Sequence, residues 1–348
     1  MTMPKLPLFD LGLNINIASD VDYINYVNDT AYSIYFAGFN MLPDARGLSD
    51  RFYNPQLIIN SLRSITSPKK YLLLNGITTN YKAYFEDSVD HRSLINQFKL
   101  YTENDLIDGI VFYDYYLLNT LKPYINPSID IVPSINLGID NIQKAESIFN
   151  YVQEQFGRIP TKLILDRSLA RDINGLKTIS TYIREYYPEI KIELIVNEGC
   201  MLHCPYKNSH DTHIAMSTLF KTVPDYQEKA CSNFNKNNGF SQLLTSPFIR
   251  PEDVQHVLPY VDILKIAGRN FGHKELVKIV TAYKEQRYDW NLLELVEVFN
   301  NYAKELFVFS DQFPSDFYAR VSTCNKNCRT CGYCTDVFNA NHQILKTK

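Results

Sequence analysis

Short runs of apolar and β-branched residues alternate along the chain with longer amphipathic stretches. Between these runs, apolar residues recur at helical spacing, as Leu94, Ile95, Phe98 and Tyr101 do along one predicted helix face. Short apolar strands that alternate with helices are typical of parallel βα units. Eight runs have the length and composition of buried strands, at residues 11–18, 33–39, 70–77, 108–114, 129–135, 161–166, 191–197 and 261–268.

This count predicts an α/β fold, a (β/α)8 TIM-like barrel, and an open doubly wound sheet is the alternative. An open sheet usually has a glycine-rich phosphate loop after its first strand, where this chain reads NIASDVDYI. The barrel is therefore favoured, and catalytic groups are expected just after the strand C-termini. The helical pattern then gives way to a cysteine-rich stretch. We predict a barrel over residues 1–315 and a short cysteine-rich extension over 316–348.

The composition is that of an ordinary globular protein, because 45% of the 348 residues are hydrophobic and 21% are charged. The net charge of −3 provides no global positive field for nucleic acid or anionic membranes. The sequence has no apolar run of membrane-spanning length and no signal-peptide pattern, so we expect a cytoplasmic protein with no membrane contact. In that compartment, clustered cysteines indicate metal binding or catalysis more often than disulfides.

Four of the seven cysteines lie in the segment CNKNCRTCGYC, at Cys324, Cys328, Cys331 and Cys334. Four thiolates this close in sequence can surround one metal ion or one cubane cluster. The segment therefore predicts a metal centre, either a [4Fe–4S] cluster or a structural zinc site. The first three cysteines also have the radical-SAM spacing, but that motif belongs after the first barrel strand, so radical-SAM chemistry is not expected.

A second group of ligands follows the seventh predicted strand, in the segment NEGCMLHCPYKNSHDTH. This segment contains Cys200 and Cys204, and Cys231 follows further along the chain. In a barrel this loop lies at the active face, so we predict that the three cysteines are ligands. The alternative is that they are small buried hydrophobic residues. His210 and His213 are three positions apart and are candidate metal ligands or proton carriers.

Charged residues at the predicted strand ends complete the candidate site. Arg269 ends the eighth strand, and Lys265 within that strand can point into the barrel. Asp166 and Arg167 end the sixth strand, and Glu198 follows the seventh. We expect the cationic residues to orient an anionic substrate or oxygen donor, although a rim salt bridge is the alternative for Arg269. Glu198 is a candidate general acid or base, or the partner that orients a histidine.

Four stretches resemble the peptidase U32 family, in order and in spacing. KIELIVNEGCMLHCPYKNSH is similar to the family's strand and cysteine-bearing loop, and SIYFAGFNMLPDARGLSDRF to its second strand and "sAR" loop. The latter contains Arg46 and Arg51, which are candidate anion contacts. The family's strand that ends in an acid–arginine pair is resembled by TKLILDRSLARDINGL. Its K-I-E-G-R segment is resembled by VDILKIAGRNFGHKELVKIVTAYKEQ. The resemblance covers roughly residues 11–290.

The resemblance implies a TIM-like barrel. In several branches of the family it also implies a [4Fe–4S] cluster on four cysteines that supports oxygen-independent hydroxylation, and some branches pair two U32 chains. In this sequence three residues separate Cys200 from Cys204, where the family has six. Cys231 matches the third cysteine, and the next one in the chain is Cys324. Two arrangements are consistent with this departure. Either one cluster is held by Cys200, Cys204, Cys231 and a cysteine of the C-terminal segment, or the two groups of cysteines hold separate centres.

We therefore predict an iron–sulfur-dependent redox enzyme, an oxygen-independent hydroxylase of a small molecule, peptide or nucleobase. A small molecule or peptide is favoured over structured RNA. The second hypothesis is a non-catalytic iron–sulfur or zinc-binding subunit that completes another enzyme, with a second U32-type chain or an electron donor as its partner. The third is a U32-type peptidase, although the sequence has no nucleophile elbow and no HExxH motif.

Overall fold

Eight short parallel strands surround the interior of the protein, whose computed structural model describes residues 7–13, 20–39, 54–220, 231–237, 240–269 and 271–345. Parallel ladders join the strands in the order β5-β4-β3-β2-β1-β8-β7-β6. The strands are β1 (Leu8–Gly12), β2 (Ser33–Phe36), β3 (Lys69–Leu74), β4 (Gly109–Phe112), β5 (Asp130–Pro133), β6 (Lys162–Ile164), β7 (Lys191–Ile195) and β8 (Ile263–Ile266).

The two end strands of this sheet, β5 and β6, meet through contacts outside the ladders. The Thr161 backbone N–H donates to Asp130 Oδ1 at 3.1 Å, at the start of both strands. The Asp166 N–H donates to the Ile139 carbonyl oxygen at 2.8 Å, beyond their carboxyl ends. The sheet therefore forms a nearly closed (β/α)8 barrel, and the predicted fold class is confirmed.

Helices follow the strands, and most of them bury one apolar face. The predicted face of the third helix, α3 (Val89–Thr102), is confirmed, since Leu94, Ile95, Phe98 and Tyr101 are all buried. Within the described part of the chain, no helix is both long and apolar enough to cross a bilayer. The helices are α1 (Val21–Thr30), α2 (Pro55–Ser64), α3 (Val89–Thr102), α4 (Tyr115–Leu121), α5 (Ile142–Phe156), α6 (Ile173–Tyr186), α7 (Lys207–Leu219), α8 (Cys231–Asn237), α9 (His273–Glu285), α10 (Phe317–Thr323), α11 (Cys328–Cys331) and α12 (Tyr333–Ala340).

The first strand begins earlier than its apolar pattern predicts. It runs over Leu8–Gly12 rather than 11–18, because the charged residue in LFDLG interrupts the apolar pattern. That residue, Asp10, is fully buried inside the barrel. Residues 14–19 lie outside the described residues, as do the candidate anion contacts Arg46 and Arg51.

Four buried charges balance one another in the barrel interior. Lys162 Nζ lies 2.8 Å from Glu193 Oε2 and 3.4 Å from Asp10 Oδ1. Lys265 Nζ lies 3.0 Å from Glu193 Oε1 and also forms an ion pair with Asp10. Burial raises the pKa of Asp10, but the charges of both lysines outweigh burial and hold it below its usual value of 3.8. The charges of these four side chains sum to zero, and an apolar cluster that includes Leu73, Val111 and Val132 fills another part of the core.

The C-terminal segment packs against the loop after β6. The Tyr318 hydroxyl donates to the Ala170 carbonyl oxygen at 3.2 Å, and the His256 ring stacks on Tyr318 at 5.4 Å. Strands β9 (Leu306–Val308) and β10 (His342–Ile344) pair in an antiparallel sheet. The predicted boundary at residue 315 therefore passes between the two strands of one sheet.

Candidate functional site

A 3-10 turn, Arg167–Arg171, follows β6 at the C-terminal face of the barrel. Asp166 precedes this turn and accepts the Ser168 N–H at 2.8 Å, so its side chain acts as the cap. The two residues of the predicted pair therefore have different roles. Asp166 caps the start of the turn, and the Arg167 side chain projects from it. Arg171, at the other end, was not predicted from the sequence.

Arg167 and Glu198 form a buried ion pair between the loops that follow β6 and β7. Arg167 Nη1 lies 3.0 Å from Glu198 Oε2. The other carboxylate oxygen, Oε1, accepts the Cys200 N–H at 3.1 Å. Burial lowers the pKa of Arg167, but the charges of Glu198, Cys200 and Asp166 outweigh it, and the net pKa is raised. Three predicted residues, Arg167, Glu198 and Cys200, are thus brought together.

Cys204 and Cys231 are both half-buried. Burial raises the pKa of the Cys231 thiol, and the charge of Cys204 raises it further. His210 and His213 both lie on α7, directly after the cysteine loop. Among the described residues, neither histidine belongs to a group of three or more ligand atoms within 4.8 Å of one another, and the group that meets this criterion is Asp20, Asp22 and His273.

The four tail cysteines line one cavity of about 220 Å³. Its opposite wall is the 3-10 turn Ser241–Thr245. Cys324, Cys328 and Cys331 are exposed, and Cys334 is half-buried. The other three cysteines do not line this cavity. We refer to Cys324, Cys328, Cys331 and Cys334 as the tail cysteines, and to Cys200, Cys204 and Cys231 as the mouth cysteines.

Arg171 lies beneath the tail cysteines with only 3% of its surface exposed. Its Nη2 atom is 3.9 Å from the Sγ atom of Cys334. Its Nε and Nη1 atoms are buried, and no atom of the described residues accepts a hydrogen bond from them. Burial lowers the pKa of Arg171, and the neighbouring thiols of Cys334 and Cys324 offset part of that effect. The sequence does contain a signal for Arg171, because the segment DRSLARD places a second arginine in the loop after a barrel strand.

The other two predicted residues lie on β8 and just beyond it. Lys265 is a member of the interior network, so its ammonium group is engaged below the mouth of the barrel. Arg269 crosses the end of β1, where a Cβ added to Gly12 would lie 2.7 Å from Arg269 Cγ. Because Gly12 has no Cβ, the Arg269 side chain can occupy the space beside it. Arg269 lies at the β8–β1 side of the mouth, and Arg167 lies at the β6–β7 side.

Comparison with known proteins gives one sequence relative and several similar folds, and no family model matches the chain. The relative is a protein of Methanocaldococcus jannaschii named an uncharacterized protease. The two are 27% identical over 250 residues, which cover 70% of this chain and 69% of the relative. The U32 peptidase Mk0906 is 14% identical, with a TM-score of 0.48 over 77% of this chain and 96% of that chain. A psychrophilic glycoside hydrolase family 10 xylanase has a TM-score of 0.37 and 11% identity over 75% and 85% of the two chains.

Proposed function

We propose that this chain is a divergent member of the peptidase U32 family, which it resembles in four segments, and that it is an iron–sulfur-dependent enzyme with its reacting cluster on the mouth cysteines. The proposed reaction is an oxygen-independent hydroxylation or a related oxidation of a small molecule or peptide. One observation carries the proposal: Cys200 is hydrogen-bonded to the buried Arg167–Glu198 pair at the mouth of the barrel.

The mouth cysteines fit such a group by their chemistry. Thiolates are the ligands of iron–sulfur clusters, and Cys204 and Cys231 are close enough for the charge of one to alter the pKa of the other. Three protein ligands also leave a coordination position open, as in catalytic zinc sites. When bound, the cluster would supply one-electron redox chemistry. His210 and His213, on the helix that follows, remain candidate additional ligands.

The charged residues around the mouth have separate tasks in this proposal. Glu198 uses one oxygen for Arg167 and the other for the Cys200 N–H, so it fixes the loop that presents the thiols. Arg269 offers a guanidinium group to a carboxylate or phosphate of the substrate or oxygen donor. Lys265 supports the floor of the site through its ion pairs with Asp10 and Glu193.

Peptide hydrolysis is the second candidate, because the sequence relative carries the name of a protease. Under that alternative Cys200 would be the candidate nucleophile, since it lies beside the cationic Arg167. A non-catalytic partner subunit would bind metal but show no turnover alone. The three roles predict different behaviour. The iron–sulfur enzyme needs iron for activity, the peptidase needs Cys200 but not iron, and the partner subunit has no activity alone.

The test compares the wild-type protein with a Cys200→Ser/Cys204→Ser/Cys231→Ser variant, both purified without oxygen. Iron, acid-labile sulfide and zinc are measured per chain, and we expect the variant to lose about four iron and four sulfide. Peptide cleavage is assayed with a fluorogenic peptide library, before and after iron chelation. Equal iron in both proteins would overturn the proposed cluster. Cleavage that survives chelation but disappears in Cys200→Ser would establish the peptidase role instead.

A further inference from the structure

Arg171 carries a buried positive charge without a matching carboxylate. Among the described residues no acidic side chain lies within ion-pair distance of its guanidinium group, and the Cys334 thiol is its side-chain hydrogen-bond partner at 3.9 Å. The Phe317 ring, 5.9 Å from the guanidinium carbon, covers another side. A buried cation is costly unless an anion or a full set of hydrogen bonds compensates it. A neutral thiol is a weak acceptor and does not provide that compensation.

A metal centre on the tail cysteines would supply the missing negative charge. Four thiolates around Zn²⁺, or around a [4Fe–4S]²⁺ core, leave a net charge of about −2. We propose that Cys324, Cys328, Cys331 and Cys334 hold a metal centre of their own, separate from the mouth cysteines, and that Arg171 is its buried counter-cation. This inference does not depend on the reaction proposed for the mouth.

We expect a [4Fe–4S] cluster rather than zinc at the tail, because four cysteines in the order C-x3-C-x2-C-x2-C can each bind one iron corner of a cubane. A zinc ion on the same four thiolates is the alternative.

The experiment isolates the tail centre in the full-length Cys200→Ser/Cys204→Ser/Cys231→Ser chain, where bound metal belongs to the tail. Arg171→Met removes the buried charge, and Arg171→Lys retains it. The matched control is Arg329→Gln, because Arg329 is exposed and lies between Cys328 and Cys331. For each protein we would measure metal and sulfide content, the rate of iron loss to a chelator and the midpoint potential. Thermal unfolding of the barrel shows whether each variant is folded.

We expect the background chain to hold about four iron and four sulfide. Arg171→Met should lose iron at least about tenfold faster than the background, because the anionic centre loses its counter-charge. Its midpoint potential should also fall, since reduction adds a negative charge that Arg171 no longer offsets. Arg171→Lys should restore most of the retention, and Arg329→Gln should behave as the background does.

Each of three results would overturn the inference or a part of it. A folded background chain without metal would remove the tail centre, even if the mouth cluster and its reaction were established. Equal iron loss and equal potential in Arg171→Met and Arg329→Gln would remove the role of Arg171. One zinc ion and no iron would overturn the [4Fe–4S] assignment.

Discussion

Arg167 and Arg171 begin and end the same 3-10 turn, and their side chains have different partners. Arg167 pairs with Glu198, which in turn holds the Cys200 N–H. Arg171 lies against Cys334 of the tail. Because a 3-10 helix rises about 2 Å per residue, only about 8 Å of backbone separates the two arginines. The loop after β6 therefore links the mouth of the barrel to the tail cavity.

The interior charge network should be a large contributor to stability. Lys265→Met leaves Asp10 and Glu193 with one cation between them, and we expect the free energy of unfolding to fall by about 3–5 kcal/mol. Lys144→Met is the control, since its pair with Asp140 has side chains 47% and 41% exposed. That change should cost at most about 1 kcal/mol. Urea denaturation measures both, and similar losses would show that the buried network adds no more than a surface pair.

The same network predicts how stability depends on pH. The charges of both lysines hold the pKa of Asp10 below 3.8, so its contribution exists above that pH and is lost as pH falls through the lowered pKa. Burial lowers the pKa of Lys162, but Asp10 and Glu193 outweigh it and raise the pKa above 10.5. The stability from Lys162 is therefore present below pH 10.5 and is lost as pH rises through the raised pKa.

The measurement is the free energy of unfolding by urea at a series of pH values from about 3 to 11. The difference between wild type and Lys162→Met should be constant near neutral pH and shrink at the alkaline end. Lys144→Met again serves as the control, since its pair is exposed. A difference that stays constant to the alkaline end would contradict the raised pKa of Lys162.

The barrel was predictable from the sequence because strand position depends on local apolar runs. The strands in the segments TKLILD and KIELIV both lie within the predicted residues, at Lys162–Ile164 and Lys191–Ile195. The charged interior was not predictable as a network. Asp10 and Lys265 are 255 residues apart in sequence, so nothing local indicates that each neutralises the other. An isolated charge in an apolar run therefore shifted the predicted start of β1.

The cysteines illustrate the same limit at the candidate site. Their spacing predicted two groups of ligands, but spacing alone left open whether a tail cysteine completes the mouth group. The cavity lined by the four tail cysteines and the direction of the Arg171 side chain come from tertiary packing. Arg167 was predictable because it directly follows a predicted strand, whereas Arg171 lies four residues further along, at the end of a turn whose geometry the sequence does not specify.

Gly268 fixes the backbone just before Arg269, and alanine should not be tolerated there. Its φ angle is +124°, and an added Cβ would lie 1.9 Å from the Phe271 ring. Gly157 also has a positive φ, +70°, but an added Cβ there meets nothing within 4 Å. We expect Gly157→Ala to cost about 1 kcal/mol and Gly268→Ala about 3 kcal/mol or more. Thermal and urea unfolding compare the two, and equal costs would mean that Phe271 moves away without penalty.

Lys326 should hold the tail against the barrel. Its Nζ atom donates to the carbonyl oxygens of Arg171 at 2.5 Å and Cys324 at 3.2 Å, so one ammonium group joins the turn after β6 to the cysteine segment. Lys326→Met removes these charged hydrogen bonds, which are worth about 1.5–3 kcal/mol each in favourable cases. Amide hydrogen exchange in residues 317–340 should therefore become about tenfold to a hundredfold faster.

The barrel strands should keep their protection in Lys326→Met, because they do not depend on this contact. Lys304→Met is the control, since Lys304 is exposed. Hydrogen exchange followed by mass spectrometry resolves the two regions in one experiment. If the tail exchanges at the same rate in both variants, Lys326 does not anchor it, and the packing of Tyr318 against Ala170 and His256 must hold the tail instead. If barrel strands lose protection together with the tail, the two regions unfold as one cooperative unit.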